Sequence, residues 1–184
     1  MKEAIGLMEY TSIAAGYLAQ DFILKAADVE LVLARSVCPG KYIVVVAGDV
    51  EAVKSSLGSA RENAPNFLVD ELLIPNVHPS VLKALSGTVE LPAEQRNALG
   101  VIESFSVSSI LEAADQAAKA ADVVIFKIHA AMTIGGKGFL LLTGEVGAVR
   151  AAVSAGLVPV QERGLLTNYV VIPSPQPELF AEYI

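Results

Sequence analysis

The sequence predicts an α+β chain built as two tandem copies of one β-α-β-β-α-β unit. Three observations carry this: blocks of sequence return in the same order in the second half, each copy alternates short β-rich runs with helical stretches, and a Pro-Gly turn sits between two β-rich runs of the first copy.

The repeat is read directly from the residues. Ala4-Ile5-Gly6-Leu7-Met8-Glu9 returns as Ala98-Leu99-Gly100-Val101-Ile102-Glu103, and Lys25-Ala26-Ala27-Asp28-Val29 returns letter for letter as Lys119-Ala120-Ala121-Asp122-Val123. Both blocks lie 94 residues on. Two extra residues then intervene, after which Gly40-Lys41 matches Gly136-Lys137 and Gly48-Asp49-Val50-Glu51-Ala52-Val53 matches Gly144-Glu145-Val146-Gly147-Ala148-Val149. Ile74-Pro75 matches Ile172-Pro173. Collinear matches whose shifts fall in loop-like stretches indicate a tandem duplication.

Within the first copy, residues 4–10 form a short β-rich run, and a helix follows from about Ile13 to Ala27 with Thr11 or Ser12 as its N-cap. Val29 to Val37 is rich in Val and Leu and reads as the second strand. Cys38-Pro39-Gly40-Lys41 is a tight turn, because Pro fixes φ and Gly tolerates φ > 0. Tyr42 to Ala47 is the third strand, so strands two and three form an antiparallel hairpin. Asp49 caps a second helix to about Ala60, Phe67 to Ile74 is the fourth strand, and Pro79 opens a short helix ending near Leu85. Ser86 to Asn97 holds Gly, Pro and charges and reads as the linker. Two ferredoxin-like domains result, residues 1–90 and 91–184.

Composition narrows the function classes. Of 184 residues, 53% are apolar and 18% charged, with a net charge of −7; the mean hydropathy is +0.54. Such a chain is too apolar for disorder, and its aliphatic excess suggests that part of its outside is buried against other subunits. An acidic chain lacks the basic footprint of a nucleic-acid binder. The longest apolar stretches, such as Tyr42 to Gly48, fall far short of the roughly 18 residues of a membrane span. The N-terminus runs into a strand-like pattern with no signal-peptide core, and the lone Cys38 forms no internal disulfide, so the expected location is the cytoplasm.

Candidate chemistry is sparse. His78 and His129 lie in different copies without ligand spacing and read as a helix-opening turn residue and a strand-end side chain. No nucleophile elbow exists. Gly135-Gly136-Lys137-Gly138 lacks the Ser or Thr of a phosphate loop and joins two strands. Glu9 and Glu103 occupy equivalent strand positions, and duplication with a structural partner accounts for them. Helix capping accounts for Asp49 and Glu145. No catalytic residue emerges, so an enzyme is not expected. Cys38 keeps two readings, a small buried hydrophobe or a metal ligand. One thiolate cannot hold an iron–sulfur cluster, but three copies around a threefold axis could supply three.

The repeated Ala-x-Gly-x-x-Glu, Lys-Ala-Ala-x-Val, Gly-containing turn and Gly-Asp/Glu-Val-x-Ala-Val resemble bacterial microcompartment (BMC) shell proteins across nearly the whole chain. Two unpermuted copies resemble the tandem-domain, trimer-forming class. A single turn Cys in the first copy is similar to that class in propanediol-utilisation shells. The resemblance implies a pseudohexameric homotrimer with six turns around a pore, lined by Val37, Cys38, Pro39 and Gly40 and by Ile134, Gly135 and Gly136. It implies that three Cys38 thiolates hold one [4Fe-4S] cluster per trimer, for electron transfer or cluster exchange across the shell. Met132-Thr133 and the two-residue insertion make the ring less than sixfold. Lys25 and Lys119 are the implied tiling residues, although Asn76 and Ser174 stand where shell hexamers often carry Arg. Implied partners are other shell proteins and a redox enzyme in the lumen, with no nucleic acid and no membrane. The competing expectations are a metal-free tile with a metabolite pore and a ferredoxin-like ligand-sensing regulator.

Overall fold

The computed structural model describes residues 3–131 and 134–181 and divides into two compact units, up to Val77 and from His78 onward. Unit 1 runs β1 (Ala4–Tyr10), α1 (Ile13–Ala26), β2 (Glu30–Val37), β3 (Lys41–Gly48), α2 (Val50–Asn63) and β4 (Leu68–Pro75). Its sheet has the order β2-β3-β1-β4, with every neighbouring pair antiparallel. This is the split βαβ arrangement of ferredoxin-like domains expected from the sequence.

Unit 2 opens with α3 (Pro79–Leu85) and a 3-10 turn at Ala93–Gln95. It then repeats the pattern as β5 (Ala98–Ser104), α4 (Val107–Ala120), β6 (Val124–Ala130), β7 (Gly138–Gly144), α5 (Val146–Glu162) and β8 (Leu166–Ile172), and α6 (Glu178–Ala181) follows. The strand order β6-β7-β5-β8 copies that of unit 1. Even the irregularities repeat: the register shifts between Leu31 and Leu33 and again between Ile125 and Lys127. A shared bulge at the same position is strong evidence of common descent, because bulges are specific backbone features.

Ser12 is the N-cap of α1, its hydroxyl accepting the Ala15 N–H at 3.3 Å, while Thr11 bonds the Phe67 carbonyl instead. Asp49 caps α2 through the Glu51 N–H at 2.9 Å. Glu145 holds the equivalent position before α5 but makes no side-chain cap bond, which corrects the expectation that capping accounts for both. Its additional methylene suits it less well than Asp to the short reach of a cap.

The linker by composition and the boundary by packing differ. α3 follows β4 closely in sequence, yet it packs on β6 and α4 and so belongs to the compact second unit. His78 anchors it. Its ring nitrogen accepts the Ser80 N–H, and its own backbone N–H donates to Asp115 Oδ1 at 2.8 Å. No helix among the described residues is long and apolar enough to cross a membrane.

In unit 1 the helix-facing side of the sheet (Ala4, Met8, Tyr10, Tyr42, Val44, Val46) packs on Ala19, Ile23, Val53, Leu57 and Ala60. Tyr10 is fully buried, and burial, aided by the nearby Glu71 charge, pushes its phenol up to about 12. The unfolded chain would ionise this group near pH 10 while the fold does not. The stability it contributes is therefore intact below pH 10 and lost between about pH 10 and 12, amounting to roughly 2–3 kcal/mol. Urea titrations of wild type and Tyr10→Phe across pH 9–12 should show the steeper alkaline loss only in wild type.

Candidate functional site

The two strand-connecting turns are the site singled out by the sequence. In unit 1, Cys38-Pro39-Gly40 joins the paired residues Val37 and Lys41. The Gly40 N–H donates to the Val37 carbonyl at 3.0 Å, and Gly40 sits at φ +84, where a side chain would be strained. Val37 is buried, so only the three residues after it lie at the turn's outer end. Cys38 is a free, half-buried thiol. The Cys38–Pro39 peptide is cis.

In unit 2, Gly135 and Gly136 take φ +69 and +84, and the Lys137 N–H closes the turn on the Ile134 carbonyl at 3.4 Å. Gly136 therefore reproduces Gly40 in conformation as well as in sequence. Met132 and Thr133, which the sequence placed in this turn, lie outside the described residues.

Each turn is braced by an ion pair that the sequence reading did not assemble. Glu9 lies across from Ile43 in the β1–β3 ladder, and Lys41, two residues before Ile43, reaches diagonally across to it. Lys41 Nζ is 2.6 Å from Glu9 Oε1, with the Glu9 side chain only 8% exposed. The second copy repeats this with Glu103 across from Phe139 and Lys137 Nζ at 2.7 Å from Glu103 Oε1, but that carboxylate is 31% exposed. The structural partner expected for the two glutamates is thus the lysine following each turn glycine. The signal was legible: Glu and Gly-Lys recur together in both copies, and diagonal cross-strand pairs are within reach of long side chains.

The remaining candidates are dispersed. Lys25 pairs with Asp21 on an exposed face of α1 at 2.6 Å. Lys119 pairs at 2.7 Å with the equivalent Asp115, which is only 2% exposed and also accepts the His78 N–H. His129 stacks on Phe139 with ring centroids 4.9 Å apart. Among the described residues no three His, Cys, Asp or Glu side chains gather in a way that could hold a metal ion. One chain offers the turn a single thiolate, so a cluster bound through Cys38 needs several chains meeting at that turn.

Comparison with known proteins follows the duplication. The BMC domain family matches twice, over residues 4–77 and 98–175. The chain is 39% identical to the bacterial microcompartment shell protein PduT of Citrobacter freundii, spanning 100% of this chain and 99% of that one. It is 34% identical to the shell protein PduA of the same organism over 46% of this chain and 89% of PduA. A crystal structure of a microcompartment protein from Desulfitobacterium hafniense DCB superposes with a TM-score of 0.93 at 48% identity, covering 98% of this chain and 99% of that one.

Proposed function

The chain belongs to the BMC-domain family of bacterial microcompartment shell proteins, and from that premise we propose that it is a homotrimeric, non-enzymatic tile whose three Cys38 thiolates hold one [4Fe-4S] cluster in a central pore. Membership makes it a structural component of the shell of a microcompartment in the cytoplasm. The trimer, the cluster and a redox partner in the lumen are the proposed part, along with lateral contacts to other shell proteins through Lys25 and Lys119.

The observation that carries the proposal is the position of Cys38. The only thiol of the chain stands at the outer end of a turn, half-buried rather than sealed in a core. A cysteine serving merely as a small hydrophobe would favour full burial. Three such turns on a threefold axis would supply three thiolates and leave one iron to a ligand from outside this set. When bound, the cluster would supply one-electron redox chemistry. The residues here contribute thiolate ligands, a tight turn fixed by Gly40, and the Lys41–Glu9 brace beneath it.

Iron and acid-labile sulfide should be measured on protein purified without oxygen, beside Cys38→Ser. About four of each per trimer, absent from the variant, is the expected result. Little iron in both proteins, with the trimer intact, would return Cys38 to a packing role and make the pore a metabolite channel.

A further inference from the structure

The seam between the second helix and the edge strand, α2 with β4 in unit 1 and α5 with β8 in unit 2, differs in chemistry between the copies. Packing and register fix which residues correspond. A Cβ added at Gly6 would meet Val53 and Leu57, and one added at Gly100 would meet Val149 and Val153, so α5 keeps the register of α2 96 residues on. Met8 lies across from Glu71, and its counterpart Ile102 across from Tyr169. In unit 1 charge closes this seam. Arg61 of α2 makes a two-pronged ion pair with Glu71 of β4, one prong running from Nε to Oε2 at 2.9 Å, and Lys54 pairs with Glu51 at 3.8 Å.

Unit 2 strips away both pairs and keeps one cation. Arg61 becomes Leu157, Glu71 becomes Tyr169, Glu62 becomes Val158 and Glu51 becomes Gly147, while Lys54 becomes Arg150. Arg150 is exposed, and among the described residues no carboxylate pairs with it. Between α5 and β8 there opens a cleft of about 200 Å³ lined by Arg150, Val153, Ser154, Leu157, Tyr169 and Val171. Tyr169 and, beside the cleft residue Leu157, Val158 are 49% and 50% exposed, where unit 1 presents charged side chains instead.

We propose that this cleft binds a short apolar carboxylate, its chain against Val153, Leu157, Tyr169 and Val171 and its head group on the Arg150 guanidinium. Charge complementarity decides the head group, because unit 1 answers both cations of this seam with its own carboxylates and unit 2 leaves that place open on Arg150. The change from Lys to Arg suits the same ligand, since a planar guanidinium meets a carboxylate through two parallel hydrogen bonds. The walls decide the rest: every methylene they take out of water adds affinity, and a fully hydrated anion has none to offer. Size sets the length, for the cleft is smaller than the roughly 300–1,000 Å³ of pockets that hold drug-sized ligands. The site is contained in one unit and rests on neither the trimer nor the cluster.

The test is ligand-observed saturation-transfer NMR on the full chain at neutral pH, with pentanoate as the probe. Saturable binding is expected, with acetate and pentan-1-ol each about tenfold weaker, the first for want of buried methylenes and the second for want of charge. Arg150→Met keeps the apolar stem at an exposed position, so the fold should persist by circular dichroism while pentanoate affinity falls about tenfold. Leu157→Arg with Tyr169→Glu rebuilds the unit 1 ion pair over the cleft and should abolish binding. No saturable binding by the wild type, or an affinity unchanged in Arg150→Met, overturns the proposal. Pentan-1-ol binding as tightly as pentanoate overturns the carboxylate, and inorganic phosphate displacing pentanoate at equal concentration overturns the apolar part.

Discussion

Replacing Gly16 by Ile should lower the stability of unit 1 by about 3 kcal/mol, the upper end of ordinary core overpacking. Gly16 lies on α1 where it crosses β3, and a Cβ added there would stand 2.4 Å from Tyr42 Cδ1 and 2.6 Å from Tyr42 Cβ. Tyr42 has little room to yield, since its ring packs at a tilt against that of Tyr17, centroids 4.8 Å apart, and its hydroxyl donates to Gln20 at 2.8 Å.

The second copy has solved the same contact with the sizes reversed. Gly16 and Tyr42 become Ile110 and Gly138, and there a Cβ on Gly138 would meet Ile110 Cγ1 at 3.1 Å. One bulky and one absent side chain fill the space between helix and strand either way. Gly16→Ile with Tyr42→Gly should therefore be less destabilised than the two single effects added, by about 2 kcal/mol. Denaturant midpoints of the four proteins decide it; strict additivity would mean that the two positions do not share one volume.

The second large effect lies beneath the turn. Lys41→Met strips the partner from Glu9, whose carboxylate is almost wholly buried. An orphaned buried charge costs about 3 kcal/mol or more. Lys137→Met removes the equivalent partner from Glu103, which is 31% exposed and reaches water, so the loss should stay below about 1 kcal/mol. Adding Glu9→Leu to Lys41→Met should restore most of the stability, because the buried charge is then gone along with its partner. Equal losses for Lys41→Met and Lys137→Met would show that burial does not set the strength of these braces.

Much of this was legible in the residues. β1, the turn at Cys38-Pro39-Gly40, a first cap at Thr11 or Ser12 and the cap Asp49 follow from local rules: β-rich runs, the fixed φ of Pro, and short polar side chains before apolar helices; the structure chose Ser12. The exact repeat of Lys-Ala-Ala-Asp-Val and Ile-Pro gave the duplication, and with it the equivalence of every element in the two copies. Glu145 shows the limit of such rules, since its place in the repeat matched Asp49 while its longer side chain makes no cap bond.

What the sequence by itself determined is the order of elements, the twofold repetition and the family, because each depends on residue patterns a few positions long or on matches along the chain. Only the tertiary structure decided which partner each equivalent residue received. Asp21 and Asp115 are the same letter in the same helix position, yet one faces solvent and the other is sealed beneath α3 with the His78 N–H and Lys119. Glu9 and Glu103 are likewise the same letter at different depths. Burial is a property of everything that packs around a side chain, so the same residue in two copies of one unit diverges in depth as soon as its surroundings do.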